Sequence, residues 1–256
     1  MTGQGCGPAD PQRSLGWLAS GAAGCGLLLG AWYALHSESV RRADVRAGEA
    51  IRELGSAGVD RFVVATTDLG SMYAVAGTAA VLAATGRPRT AADVAGLGAL
   101  AWTVAQQSKT VVRRERPYEV DGVRRLVREP AGSSFPSGHA AVAVATTSML
   151  AERVRWRPAG WLLRGLGGYV AASRVYVGVH YPTDVLGGAG LGLVLAGVWR
   201  GPLARVGRTL TTAAGSTARR VAGPLARGAV AVGFGARAAR LVRGGEGART
   251  RRSEAA

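Results

Sequence analysis

Between Leu15 and Leu35 the chain runs LGWLASGAAGCGLLLGAWYAL without one charged residue. About 20 apolar residues suffice for a helix to cross the hydrocarbon of a bilayer. The run is too long for a signal-peptide core, only Arg13 precedes it, and no clear small-x-small cleavage site accompanies it. It therefore reads as a retained first span. Five further apolar runs follow, at about 69–85, 91–108, 139–155, 159–177 and 183–199. The pattern predicts an all-α fold, an integral membrane bundle of about six transmembrane helices. Arg164 interrupts the fifth run a turn or two from the basic ERVRWRP loop, close enough to snorkel to the interface.

Residues 36–68 are mixed in charge. There Val40, Ala43, Ala47, Ile51 and Leu54 recur at helical spacing, as in an amphipathic helix lying in the interface. Residues 1–13 are polar and rich in glycine and proline, a disordered N-terminal tail. Residues 14–200 form the six-span domain. Residues 201–256 are dominated by Arg, Gly and Ala, with little periodicity, and read as a disordered basic tail against anionic headgroups.

The composition agrees with a membrane domain. Nearly half of the residues are apolar, at 48%, and glycine numbers 39, a density of small residues that suits closely packed membrane helices. The net charge of +16 would ordinarily raise nucleic acid as a partner. Here the arginines cluster in short loops and in the tail, without aromatic or motif support, so no nucleic-acid partner is expected. If the first span runs outward, Arg87 and Arg89, then Arg153, Arg155 and Arg157, then the tail arginines all fall inside. The loop 113–128 puts further arginines outside. The tail decides for both termini in the cytoplasm. Cys6 and Cys25 are poorly placed to pair, and no metal-ligand cluster is visible.

Lys109 is the one lysine among 32 basic residues. It opens the first of three polar islands: Lys109 to Pro117 after the third span, Ser137 to His139 at the start of the fourth, and Ser173 to Asp184 between the fifth and sixth. Singly, KTVVRRERP could be a solvated basic loop, FPSGHA a turn before a helix, and a His–Asp pair four residues apart a helix-end contact. With six alternating spans, however, all three emerge on one membrane face, and ionisable groups at a membrane boundary mark function.

Lys109-x6-Arg116-Pro117, Pro136-Ser137-Gly138-His139 and Ser173-Arg174-x5-His180-x3-Asp184 together resemble the three-part signature of the type 2 phosphatidic acid phosphatase superfamily. That superfamily includes membrane lipid phosphate phosphatases and soluble vanadium haloperoxidases. The resemblance covers residues 109–184 in full pattern and implies a lipid phosphatase of the membrane branch, with no metal and no cofactor. Lys109, Arg116 and Arg174 can supply charge-assisted donors to phosphoryl oxygens. Ser137 and the Gly138 N–H stand at a helix N-terminus suited to an anion. His180 is the expected nucleophile, Asp184 the carboxylate that fixes its tautomer, and His139 the acid for the leaving alkoxide and then the base for water.

A site at the membrane boundary, expected on the extracytoplasmic face, suits a lipid substrate. Phosphatidic acid, phosphatidylglycerophosphate and polyprenyl phosphates or diphosphates all fit, with membrane lipids as the surrounding partners. Transfer of the phosphoryl group to an acceptor other than water would use the same residues. A vanadate-binding haloperoxidase is disfavoured by the apolar spans, and a catalytically silent scaffold by the intact His139, His180 and Asp184.

Overall fold

The computed structural model describes residues 11–199, so the N-terminal tail as far as residue 10 and the basic tail expected after residue 200 lie outside the described residues. The described elements are helices, with no strand among them. In chain order they are α1 (Pro11–Ala34), α2 (Glu38–Glu53), α3 (Ala57–Thr66), a 3-10 turn (Thr67–Gly70), α4 (Met72–Ala84), α5 (Pro88–Val112), α6 (Pro117–Val120), α7 (Gly138–Arg153), α8 (Arg157–Tyr176) and α9 (Pro182–Val198).

Local chemistry explains the boundaries. Ser56, Ser71 and Ser137 each turn a side-chain oxygen onto a free N–H in the first turn of α3, α4 and α7. Pro88, Pro117 and Pro182 stand at the starts of α5, α6 and α9, where a missing N–H costs nothing.

α7 is the central helix. Apart from His139 it is buried from Gly138 to Met149, and it packs against α5, α8 and α9. At its far end Asp93 on α5 accepts from Arg153 on α7 at 2.6 Å and from the Trp199 indole at 3.2 Å. That end is filled by Val75, Val94, Leu97, Val142 and Met149. The chain segments that carry the three polar islands gather at the opposite end: the C-terminal ends of α5 and α8, and the N-terminal ends of α7 and α9.

Two positions on α9 explain why small residues are needed. A Cβ at Gly190 would lie 2.6 Å from the Leu28 nitrogen of α1, and one at Gly192 would lie 2.6 Å from the Ala141 carbonyl of α7. α9 is thus in backbone contact with two helices at once.

No single described helix is long and apolar enough to cross a membrane by itself; Leu18–Ala34 and Glu38–Glu53 meet the requirement together, but with a bend of 106° between them. The expected apolar runs all became helices. However, α4 and α9 are short, at 13 and 17 residues. The longer α5 and α8 carry Arg89, Asp93 and Lys109, and Arg157, Arg164 and Arg174. Segment 36–68 also differs from the single amphipathic helix expected, because it breaks into α2 and α3. Its inward side is Asp44 and Gly48 with the partly buried Val40 and Ile51, while Ala43, Ala47 and Leu54 face outward.

Gly192→Val is expected to cost about 1–3 kcal/mol by overpacking, read as a lower thermal midpoint in detergent. Gly26→Val, where a Cβ meets nothing within 4 Å, serves as the control and should leave the midpoint nearly unchanged.

Candidate active site

α5 ends with Lys109 buried and Arg113 closing the helix in the left-handed region, at φ 49°. The reversal sends the chain back across the bundle end and carries Arg116 into its interior. Arg116 is fully buried, and its guanidinium is braced by carbonyls: Nε donates to Gly132 O at 3.0 Å, Nη1 to Val179 O at 2.9 Å, and Nη2 to Ser133 O at 3.2 Å. Nη1 also lies 3.5 Å from His180 Nε2. The residue expected as a phosphate donor is thus also a strut between the loop ahead of α7 and the loop ahead of α9.

Ser137 is the N-cap of α7, its hydroxyl accepting from the Ala140 N–H at 3.5 Å while its own N–H donates to the Asp184 carbonyl at 3.0 Å. Gly138 begins the helix beneath the Trp102 ring, which a Cβ there would approach to 3.3 Å. The same indole meets the His139 ring edge-on, with centroids 6.0 Å apart.

Arg174 is nearly fully buried at the end of α8. Its Nη1 donates to Thr67 Oγ1 at 2.9 Å, and its buried Nε has no hydrogen-bond partner. Thr67 is itself tied to Ser173 by a 2.7 Å hydroxyl contact. The neighbouring Asp68 reaches toward both His139 Nε2, at 3.4 Å, and Arg174 Nη1, at 3.7 Å.

His180 follows the Gly178 turn, at φ 77°, and precedes α9, with Asp184 in the first helical turn. Its Nε2 faces Arg116. Its Nδ1 faces Asp184 Oδ2 at 3.6 Å and Ser134 Oγ at 3.4 Å. Asp184 is fully buried and accepts from the Tyr181 N–H at 2.8 Å, from Ser134 Oγ at 2.5 Å and from Arg114 Nη1 at 2.6 Å. Ser134 is therefore a closer partner of the carboxylate than the imidazole is. Lys109, Gly138, His139, Arg174 and His180, with Asp68, line one cavity of about 300 Å³.

All eight residues singled out from the sequence thus come to one end of the bundle, five of them around a single cavity. Thr67, Asp68, Arg114 and Ser134 belong to the same neighbourhood and were not singled out. Arg114 sits inside the expected basic loop with nothing to separate it from Arg113, and the other three lie in segments without a recognisable pattern.

Burial pushes the His180 ring down to about 3, against the opposing pull of Asp184. An unfolded ring titrates near 6.5, so between about 6.5 and 3 the unfolded chain binds more protons than the folded one. Folded stability should therefore fall as pH drops through that range. His180→Gln is expected to make the fall between pH 7 and pH 5 shallower in thermal unfolding; an equally steep fall would contradict a buried, neutral His180.

Comparison with known proteins agrees with this assembly of segments. Undecaprenyl-diphosphatase BcrC of Bacillus subtilis is 36% identical over 102 residues, 40% of this chain and 52% of that protein. A decaprenylphosphoryl-5-phosphoribose phosphatase of Mycolicibacterium smegmatis is 42% identical over 94 residues, 36% of this chain and 49% of that protein. The chain thus matches about half the length of each of these relatives. The transmembrane PAP2-type phosphatidylglycerolphosphate phosphatase of Bacillus subtilis superposes with a TM-score of 0.55 at 24% identity, covering 71% of this chain and 94% of that one. LpxE of Aquifex aeolicus gives 0.54 at 24% identity over 60% of this chain and 92% of that one. The PAP2 superfamily profile matches residues 71–204, more than half of the chain and all eight of the residues singled out from the sequence, so the chain belongs to the PAP2 superfamily.

Proposed function

We propose that this protein is a membrane-embedded lipid phosphate phosphatase that works through a phosphohistidine, without a metal. One observation carries the reading: His180 Nε2 faces the Arg116 guanidinium beside a cavity that Lys109, Arg174, Gly138 and His139 also line, while Asp184 stands behind Nδ1. A phosphoryl group in that cavity would have a neutral imidazole nitrogen on one side and cationic donors around its equatorial oxygens.

In the proposed reaction His180 carries its proton on Nδ1, toward Asp184 and Ser134, and keeps the Nε2 lone pair for attack. The new bond forms from Nε2 to phosphorus as the bond to the leaving oxygen breaks. His139 delivers a proton to that oxygen. Water then attacks the phosphohistidine, giving its proton to His139 and releasing His180 with inorganic phosphate. The buried Arg174 Nε has a donor to offer a phosphoryl oxygen. Positive side chains thus supply the charge neutralisation that a metal ion provides in other phosphatases.

The substrate is best sought among polyprenyl phosphates and diphosphates. The curated relatives at 36–42% identity carry polyprenyl-linked names, whereas the phosphatidylglycerolphosphate phosphatase speaks for the fold alone. Large apolar side chains on the outer surface, including Leu29, Phe62, Val81, Trp161 and Leu162, support a bundle turned outward to lipid. We read α1, α4, α5, α7, α8 and α9 as six crossing elements, with α2 near the interface and the cavity on the extracytoplasmic side. Of the charged groups of α5 and α8, Asp93, Lys109 and Arg174 are then interior, Arg89 and Arg157 are terminal, and the exposed Arg164 lies about two turns from the start of α8, within snorkelling reach of the interface.

Phosphate release from undecaprenyl diphosphate and from phosphatidic acid, in detergent with EDTA, tests the activity and its metal independence. Release is expected in EDTA, and loss of activity on chelation would sink the metal-free mechanism. His180→Ala should abolish turnover and phosphoenzyme together, and turnover within a few-fold of wild type would remove His180 as nucleophile. Arg174→Lys should lower kcat/KM by at least tenfold, because an ammonium cannot replace the planar fork.

For the topology, a cysteine placed at one of residues 120–130, in a chain freed of Cys6 and Cys25, should react with an impermeant thiol reagent on intact cells. Reaction only after lysis would invert the orientation.

A further inference from the structure

Asp184 is one end of a buried chain of charges. Arg114, which donates to Asp184 Oδ1 through Nη1, donates through Nη2 to Asp44 Oδ2 at 2.8 Å. Asp44 comes from α2, 70 residues earlier, and is 4% exposed. It also accepts from the Thr183 N–H at 3.0 Å and from the Thr183 hydroxyl, to which Arg114 Nη1 itself donates at 2.6 Å. The guanidinium lies over the Tyr181 ring, 4.1 Å from its centroid. The Tyr181 hydroxyl donates onward to Asp121. One cation is therefore held between two carboxylates, directly behind the imidazole.

The arithmetic of these charges bears on the reaction. A phosphohistidine carries positive charge on its ring, and a carboxylate beside Nδ1 stabilises it only while that carboxylate is not neutralised. Asp184 and Arg114 alone sum to zero. Asp44 returns the group to a net charge of minus one. At the short distances of a buried site, one elementary charge has a large effect on a neighbouring ring. A purely structural role for Asp44, tying α2 to the bundle, would need its hydrogen bonds but not its charge.

We infer that Asp44 and Arg114 are positioning residues for the nucleophile: Arg114 locks the Asp184 carboxylate in place, and Asp44 restores the negative charge that Arg114 would otherwise cancel. The inference rests on the reading of His180 as nucleophile. The other charges facing His180 are Arg116 from the segment ahead of α6 and Arg174 from α8, with Lys109 of α5 on the shared cavity. None of these is altered in the variants below.

The test compares full-length wild type, Asp44→Asn and Asp44→Asn/Arg114→Gln in detergent, by phosphate release from farnesyl diphosphate. Asp44→Asn keeps the side-chain size and one acceptor oxygen but brings the group to zero, and its kcat should fall at least tenfold while KM stays within threefold. The double variant returns the group to minus one and should recover at least fivefold of kcat over the single. A double variant no better than Asp44→Asn would overturn the inference, and because removing Arg114 also relieves a buried cation left unpaired, the ring titration below decides whether any recovery comes from the charge.

Asp44→Glu, which keeps the charge, should likewise retain several-fold more kcat than Asp44→Asn, and equal rates would count against the charge. Ring titration by NMR of isotope-labelled histidine, with only His36, His139 and His180 present, gives a readout independent of turnover. The His180 ring should titrate higher in the double variant than in Asp44→Asn, and identical titrations would again overturn the inference. A wild-type protein that releases no phosphate from farnesyl diphosphate, undecaprenyl diphosphate or phosphatidic acid would refute the phosphatase reading instead, leaving the titration to judge the charge network.

Discussion

Three cations converge in the interior of a helical bundle end, and most of the surrounding structure can be understood as a response to them. Lys109, Arg116 and Arg174 are all buried. Charges removed from water are costly unless partners compensate them. Arg116 is compensated by carbonyls from the loop at 131–133 and from Val179. Arg174 is compensated through one Nη by Thr67, with Asp68 nearby, and keeps its Nε unmatched. The two arginines are thus satisfied to different degrees. Arg116 is set rigidly and holds the loops around His180, whereas Arg174 retains a donor for something else. In the proposed reaction that difference separates a residue that builds the cavity from one that grips the phosphoryl group.

Packing on this scale of precision depends on backbone proximity. Loops from four helix ends reach one cavity only if α7 and α9 run close together, and Gly192 against the Ala141 carbonyl provides that closeness. Near the cavity the same two helices are joined directly, because the Ser137 N–H donates to the Asp184 carbonyl. The helix start that presents Gly138 and His139 is thereby bonded to the residue that stands behind His180. A shift of either helix would move the cavity wall and the carboxylate together. The far end, clamped by Asp93 with Arg153 and Trp199, keeps α5, α7 and α9 from sliding past one another.

The residues legible in the sequence were those with fixed spacing on a continuous segment. His180 and Asp184 lie one helical turn apart, Ser137 to His139 are consecutive, and Lys109 and Arg116 bracket a helix end. The apolar runs showed where helices form, because an uncharged run has few alternatives to burial. What could not be read were partners from segments with no pattern of their own. Asp44 is one acid in a helix with several charges, and the apolar stripe 40-43-47-51-54 is centred to one side of it, with only Val40 and Ile51 sharing its inward side. It is buried because α2 folds back after the 106° bend, a tertiary event that periodicity does not record. Arg113 and Arg114 are adjacent and chemically alike, yet one caps α5 in the open while the other enters the charge network.

The bend also bears on how a carboxylate so deep in the protein can be supplied at all. Asp184 sits in the first turn of α9, where the helix dipole already favours a negative charge, and it accepts from the Tyr181 N–H as a cap would. That alone would anchor the carboxylate but leave its second oxygen without a partner. Arg114 fills the position, and a buried arginine in turn requires an anion beyond it. α2 delivers Asp44 there while making two hydrogen bonds to Thr183, next to Asp184 in the chain. Each charge in the series thus creates the need that the next one meets. The series stops at Asp44 because Thr183 and Arg114 satisfy both of its oxygens. A helix expected from the sequence only to lie in the membrane interface has become the outer wall of the network behind the imidazole.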